Sequence, residues 1–271
     1  MAKGYALLVG MERVDAKYYA GWEGVLEQPE NDAKAMEQIA RQLGFETQLL
    51  LNSKATREAV ISSISEIAAQ MEPEDLFFLY YSGHGGQVPD LDGDEEDEFD
   101  ETWCLYNGQL IDDELHVLWG DFKENSRVIV ISDSCHSGTI TKALPMDNCL
   151  ISKSLPEQYV MKTFNENKSF YQKIAEEVQR KGYKEIKASV HLMASSQDSQ
   201  SSYAFADAKL SLFTTAFCKL WNAGNRKVVY EDMLNVIKES IKADVGRMQT
   251  PNFYVIGKEN DEFNKQFVLS I

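Results

Sequence analysis

The sequence predicts an α/β domain built on a mostly parallel sheet with helices on both faces. Two observations carry that expectation. Several short runs are apolar on both alternating faces: Tyr5–Gly10 (YALLVG), Leu76–Tyr81 (LFFLYY), Arg127–Ile131 (RVIVI) and Val190–Ala194 (VHLMA). Strands of a sheet covered on both sides read this way. Amphipathic segments of helical period lie between the earlier runs, as parallel crossovers require.

The elements follow in order. YALLVG is a strand ended by Gly10. Asn31–Leu43 places apolar residues at Ala35, Met36, Ile39, Ala40 and Leu43, which is helical spacing, and Gly44 is a stop. Phe45–Leu51 is a second strand. Thr56–Met71 is an amphipathic helix followed by Pro73. LFFLYY, RVIVI and VHLMA supply three more strands. Leu212–Trp221 and Tyr230–Ile241 read as helices, and Thr250–Ile256 and Gln266–Leu269 as weaker strands at a sheet edge. Pro156–Gly182 reads as a surface helix or a loop. No internal repeat is present.

Composition narrows the function classes. The 271 residues are 44% hydrophobic, enough for one sizeable core. Formal net charge is −16, which disfavours nucleic acid and suits cationic substrates or metal ions. Four cysteines without a CxxC pair do not form a disulfide framework, and a reducing cytoplasm is expected. The amino-terminal MAKGYALLVGM has too short an apolar stretch for a signal peptide. No run approaches the length of a membrane span, so no membrane partner is expected.

Two strands run into loops that carry reactive residues. LFFLYY leads into SGHGGQ, with His84 between Gly83 and Gly85, and RVIVI leads into SDSCHSG, with Cys135. Ligands of parallel sheets gather beyond the carboxyl ends of the strands. If these strands are neighbours, His84 can serve as base to a Cys135 nucleophile. The glycines permit unusual backbone angles and close substrate approach. Backbone N–H groups of Gly85 and Cys135 could hold an oxyanion. His136 is the poorer base, because neighbouring side chains of an extended segment face opposite ways. A cysteine phosphatase would need Arg where Thr141 stands, and the His and Cys spacings are not those of zinc ligands.

At these residues the chain resembles a known family. DLFFLYYSGHGGQVPDLDGDEEDEFDE, LIDDELH and VIVISDSCHSGT, in that order, strongly resemble the metacaspases, including the bacterial orthocaspases, which are caspase-like C14 cysteine peptidases of clan CD. YALLVGM with PENDAKAMEQIARQLGF resembles the family's amino-terminal strand and helix, and SSQDSQSSY with LFTTAF its carboxyl-terminal half. The resemblance implies a caspase-haemoglobinase fold and a Cys135–His84 dyad cleaving after Arg or Lys. It places Asp133, Asp32, Ser82 and Asp198 in the pocket for that side chain, where a carboxylate would pair with a cation. Ser202, Tyr203 and Ala204 stand where the family often has a further Asp.

The resemblance also implies calcium as an activator, with none needed for the chemistry. Asp100, Asp112 and Asp113 match the family's calcium acids, and clustered carboxylates suit that ion. Lys142 stands where the family has another acid, with Asp147 nearby to compensate. Asp112 could equally be a helix N-cap. Glu95 occupies the glycine position of an EF-hand loop, which excludes that motif.

The expected organisation is one peptidase domain. Residues 1–146 form a large-subunit-like half, 147–188 a Lys-rich insertion, and 189–271 a small-subunit-like half. The insertion carries Lys153, Lys162, Lys168, Lys173, Arg180 and Lys181, and is the expected place for self-cleavage. Expected partners are protein or peptide substrates with Arg or Lys at the cut position, met by a monomer. The competing readings are a catalytically weak caspase-like binding module and another clan CD protease.

Overall fold

The computed structural model describes residues 2–91, 93, 95, 98–135, 150–197, 200–222 and 227–271. In chain order the first half holds β1 (Gly4–Gly10), α1 (Pro29–Gln42), β2 (Glu46–Leu51), α2 (Arg57–Gln70), β3 (Leu76–Ser82), β4 (Gly85–Pro89), β5 (Phe99–Leu105), β6 (Gly108–Ile111), α3 (Asp112–Trp119) and β7 (Arg127–Asp133). Then follow β8 (Leu150–Ser152), α4 (Glu157–Glu166), α5 (Lys168–Lys181), β9 (Ser189–Ala194), β10 (Tyr203–Phe205), α6 (Leu212–Asn222), α7 (Tyr230–Val245), β11 (Asn252–Gly257) and α8 (Asp261–Asn264).

The main sheet has the order β11-β9-β7-β3-β1-β2. Its strands are parallel except β11, which runs antiparallel to β9 at the edge. Alternate residues feed two cores. Leu7, Val9, Phe77, Leu79, Val128 and Val130 pack with Val60, Ile64 and Ile67 of α2 and Leu118 and Trp119 of α3. Leu8, Phe78, Tyr80, Ile129 and Ile131 pack with Met36 and Ile39 of α1, Phe213 and Phe217 of α6, and Ile237 and Ile241 of α7. That two-sided burial is why these strands are apolar at nearly every position.

Local signals explain several boundaries. Pro29 opens α1 two residues before the expected start, its fixed φ suiting the first turn. Thr56 caps α2, accepting the Ala59 N–H at 3.2 Å. Asp112 is the first residue of α3 rather than its cap; Ile111 takes the cap position, and its N–H donates to Glu114 Oε2 at 3.1 Å.

Two expectations need correction. Gln266–Leu269 is no strand: Phe267 alone bridges Val229, and Val268 and Leu269 are apolar because they close the α1/α6/α7 core. Pro156–Gly182 holds two helices, α4 and α5, whose Phe164, Tyr171, Ile174 and Val178 bury against Val88, Ile111 and Val117. One feature went unexpected. β4, β5 and β6 form a separate antiparallel sheet, hidden in the sequence by two glycines, a proline and an acidic run.

Candidate active site

β3 and β7 are adjacent, and Ser82 pairs in register with Asp133 at their carboxyl ends. His84 and Cys135 each lie two residues beyond that pair. The two loops therefore flank one cleft, as their places at neighbouring strand ends require. Both side chains are buried, and Cys135 is a free thiol.

Burial raises the thiol pKa of Cys135, against the Ser202 backbone, the Ser152 and Ser154 hydroxyls and the Lys153 charge, which lower it. Burial and then the Lys153 ammonium push His84 down to about 3, while backbone groups of Gly24 and Ser154 favour its charged form. Among the described residues neither ring nitrogen makes a well-formed hydrogen bond, to Cys135 or to the nearby backbone groups of Gly24 and Ser154. Trp22 meets the ring edge-on at 4.7 Å between centroids.

Beside the thiol lies a closed acidic pocket. Asp133 and Asp32 are both fully buried. Asp133 accepts hydrogen bonds from the hydroxyls of Ser202 at 3.0 Å, Thr214 at 3.1 Å, Tyr80 at 3.4 Å and Ser211. Ser211 also accepts the Thr214 N–H at 3.2 Å, capping α6, so the positive end of that helix faces the carboxylate. Asp32, in the first turn of α1, accepts from Ser82 Oγ at 2.7 Å and the Ser211 N–H at 2.9 Å. Burial, with Asp133 close by, pushes Asp32 up to about 7; Lys153 and the two hydrogen bonds pull the other way.

The pocket is filled by the chain itself. Lys153 Nζ lies 3.0 Å from Asp133 Oδ1 and 3.8 Å from Asp32 Oδ2, and donates to Ser82 Oγ at 2.9 Å. The carbonyl of the same lysine accepts the N–H groups of Gly85 at 2.9 Å and Cys135 at 3.2 Å. β8, just before it, pairs antiparallel with β10, and the Lys153 N–H donates to the Ser202 carbonyl at 2.9 Å. Just after it, Ser154 bridges Gly85 in parallel, and the Leu155 N–H donates to the Gly85 carbonyl at 2.7 Å. Cys135 Sγ lies 3.7 Å from Ser152 Oγ. Residues 150–155 thus thread the cleft as an extended peptide, a lysine in the pocket and its carbonyl on two convergent N–H donors.

The glycines around His84 serve space rather than unusual angles, for neither Gly83 nor Gly85 has positive φ. A Cβ on Gly83 would stand 2.5 Å from the Tyr81 hydroxyl, and one on Gly86 2.6 Å from Gln109 Oε1. His136, Lys142, Asp147 and Asp198 lie outside the described residues.

The acids matched to calcium lie elsewhere. Asp100 is buried on β5, and Asp112 and Asp113 open α3. Burial raises Asp112 well above the usual carboxylate range, and the charges of Glu101, Asp113, Asp100 and Glu95 add to it. A cation would relieve that repulsion, and carboxylate oxygens are the donor type calcium takes. Among the described residues no group of three or more His, Cys, Asp or Glu is disposed as a ligand set. Tyr183 donates to Asp113 Oδ1. A cavity of about 450 Å³ opens beside Asp112 and Asp113, and Cys135 is not in its lining.

Sequence reasoning missed Tyr80, Ser202, Ser211 and Thr214 in the pocket wall. Hydroxyl residues carry no signal until folding aims them at one carboxylate. Ser202 falls within the stretch where the family's further Asp is missing, and there a hydroxyl supports Asp133 instead.

The chain is similar to known proteins over most of its length. The profile of the caspase-domain peptidase family (C14) matches residues 3–259. Metacaspase-1A of Aspergillus terreus is 36% identical over 152 residues, covering 51% of this chain and 36% of that protein. Metacaspase-1 of Schizosaccharomyces pombe is 35% identical over 151 residues, covering 50% and 34%. The matches span about a third of these curated relatives' length. A crystal structure of a Geobacter sulfurreducens protein superposes with a TM-score of 0.84 at 39% identity, covering 98% of this chain and 97% of that one.

Proposed function

Because the chain belongs to the caspase-domain family of cysteine peptidases, we propose that it is an endopeptidase cleaving after Lys or Arg through Cys135 and His84, and that its first substrate is its own Lys153–Ser154 bond. The observation that carries this reading is Lys153 itself. Its ammonium lies on Asp133 and Ser82 while its carbonyl takes both N–H donors beside the thiol. A buried lysine is costly unless paired, so only a cationic side chain suits these two carboxylates.

The chemistry follows from the resting charges. Burial leaves the thiol protonated and the imidazole neutral at neutral pH. Proton transfer to His84 therefore accompanies attack by Cys135 Sγ on the lysine carbonyl carbon. Negative charge moves to the carbonyl oxygen, held by the Gly85 and Cys135 N–H groups. The C–N bond breaks as His84 gives its proton to the Ser154 nitrogen. A water, giving a proton to His84, then hydrolyses the thioester, and the thiol regains that proton. Calcium enters as an activator that Asp100, Asp112 and Asp113 would hold; it would offset their mutual repulsion and takes no part in bond breaking.

Intact mass and amino-terminal sequencing test the assignment. Incubation with and without calcium should give a fragment beginning at Ser154, and Cys135→Ala should abolish it. A fragment formed equally by both proteins would sink the proposal. The competing reading, a weak caspase-like binding module, draws on the fully occupied cleft. It predicts no turnover of Lys-, Arg- or Asp-terminated fluorogenic peptides under any metal condition.

A further inference from the structure

The segment in the cleft is held in different ways on the two sides of the Lys153–Ser154 bond. Before the bond, Lys153 is buried and held through its ammonium on Asp133 and Ser82, and the described chain ahead of it is the three-residue β8, half-buried and paired to the equally short β10. After the bond, Leu155 is fully buried and joins the core that runs under β1, β3 and β7. Gly86 leaves room for it: a Cβ there would stand 3.2 Å from Leu155 Cβ. Pro156 then leads into α4 and α5, which are fastened to the first half of the chain. Lys162 Nζ donates to the Ala20 carbonyl at 3.1 Å, Asn167 Nδ2 to the Tyr18 carbonyl at 3.1 Å, and Gln109 Nε2 to the Tyr171 hydroxyl at 2.8 Å.

We infer that Leu155 is a permanent anchor of the cleft: cutting after Lys153 frees the strand before the bond, Leu155 stays seated against Gly85 and Gly86, and Ser154 swings aside to admit the residue that follows a second peptide's cut bond. This rests on the self-cleavage proposed above and adds the substrate class of the cut enzyme. The vacated half offers the Tyr203–Phe205 edge, the Ser202 carbonyl and the acidic pocket. A second peptide is then read by the residues that precede its cut bond, ending in Lys or Arg. The residues that follow find Leu155 in place and are read little.

Two measurements decide it. The first compares peptides cut by the self-processed wild-type protein. Replacing Ser-Leu after the lysine by Gly-Asp should change kcat/KM by less than about threefold. Replacing Leu-Ile-Ser before it by Gly-Asp-Gly should lower it by more than about tenfold. A tenfold loss from the change after the lysine would overturn the inference, since Leu155 would then have left its place to the substrate.

The second is residue-resolved hydrogen exchange on the uncut Cys135→Ala chain. The Leu155 amide, bonded to Gly85, should exchange more than about tenfold more slowly than the Lys153 amide, bonded to Ser202. Equal rates, or the reverse order, would refute the anchor. A protein that cuts neither itself nor peptides would defeat the peptidase reading alone, and the exchange rates would still decide the anchor.

Discussion

Lys153 closes the site at the scale of single residues. Cys135 is 0% exposed beneath it, so alkylation requires the lysine to leave. Iodoacetamide should label Cys135 slowly in the uncut His84→Ala chain and at least about tenfold faster when Lys153→Ser is added, read by peptide mapping. Equal labelling would show that Lys153 does not cover the thiol. Asp32 carries a pH signature. Its pKa is raised from 3.8 to about 7, so between those values the folded protein binds more protons than the unfolded chain. Its contribution to stability is complete below about 4 and is lost as pH rises through about 7. Asp32→Asn, neutral throughout, should gain in Tm relative to its Cys135→Ala parent as pH goes from 5 to 8. A Tm difference independent of pH would contradict the raised pKa.

At the scale of elements, the site depends on where β3 and β7 stop and on what their loops leave out. The Tyr81 hydroxyl donates to the His84 carbonyl at 2.7 Å and to the Cys104 carbonyl at 3.1 Å, fixing the turn that carries the imidazole. Gly83→Ala would drive a methyl into that hydroxyl. It should cost about 1–3 kcal/mol of stability, and peptide turnover should fall more than in Thr56→Ala. The latter removes only the α2 cap, at about 1 kcal/mol. Chemical denaturation and a fluorogenic assay on both variants separate these outcomes. The strands were legible in the sequence because burial on both faces leaves an unbroken apolar run. β4–β6 were not, since GGQVP has the composition of a turn and gains its ladder only from β5. The motifs singled out His84, Cys135, Ser82 and Asp133, and the structure brings them to the ends of two neighbouring strands. The hydroxyls around Asp133 were not legible, because three elements distant in sequence bring Tyr80, Ser202, Ser211 and Thr214 together.

For the whole molecule, the insertion that reads as a charged surface segment is divided between two tasks. Its residues 150–155 fill the cleft and its helices brace the first half of the chain. Since Lys153 already lies in its own pocket, self-cleavage should be first order. The rate constant should stay unchanged over about a hundredfold dilution, because the reacting groups are pre-positioned within one chain. A rate that falls with dilution would assign the cut to a second molecule.

The bracing by α4 and α5 has a kinetic consequence. An ordinary leaving amine diffuses away once the thioester forms, and water has no rival. Here the Ser154 amine is tethered a bond's length from the acyl carbon, at an effective molarity far above any free peptide. In the proposed self-cleavage, aminolysis by that amine restores the original chain and competes with hydrolysis. The Leu150–Lys153 strand is itself the acyl group on Cys135, so its pairing with Tyr203–Phe205 can be given up only after water has cut the thioester. Commitment is then set by how often water reaches the acyl carbon ahead of the tethered amine, and not by how fast the thiol attacks.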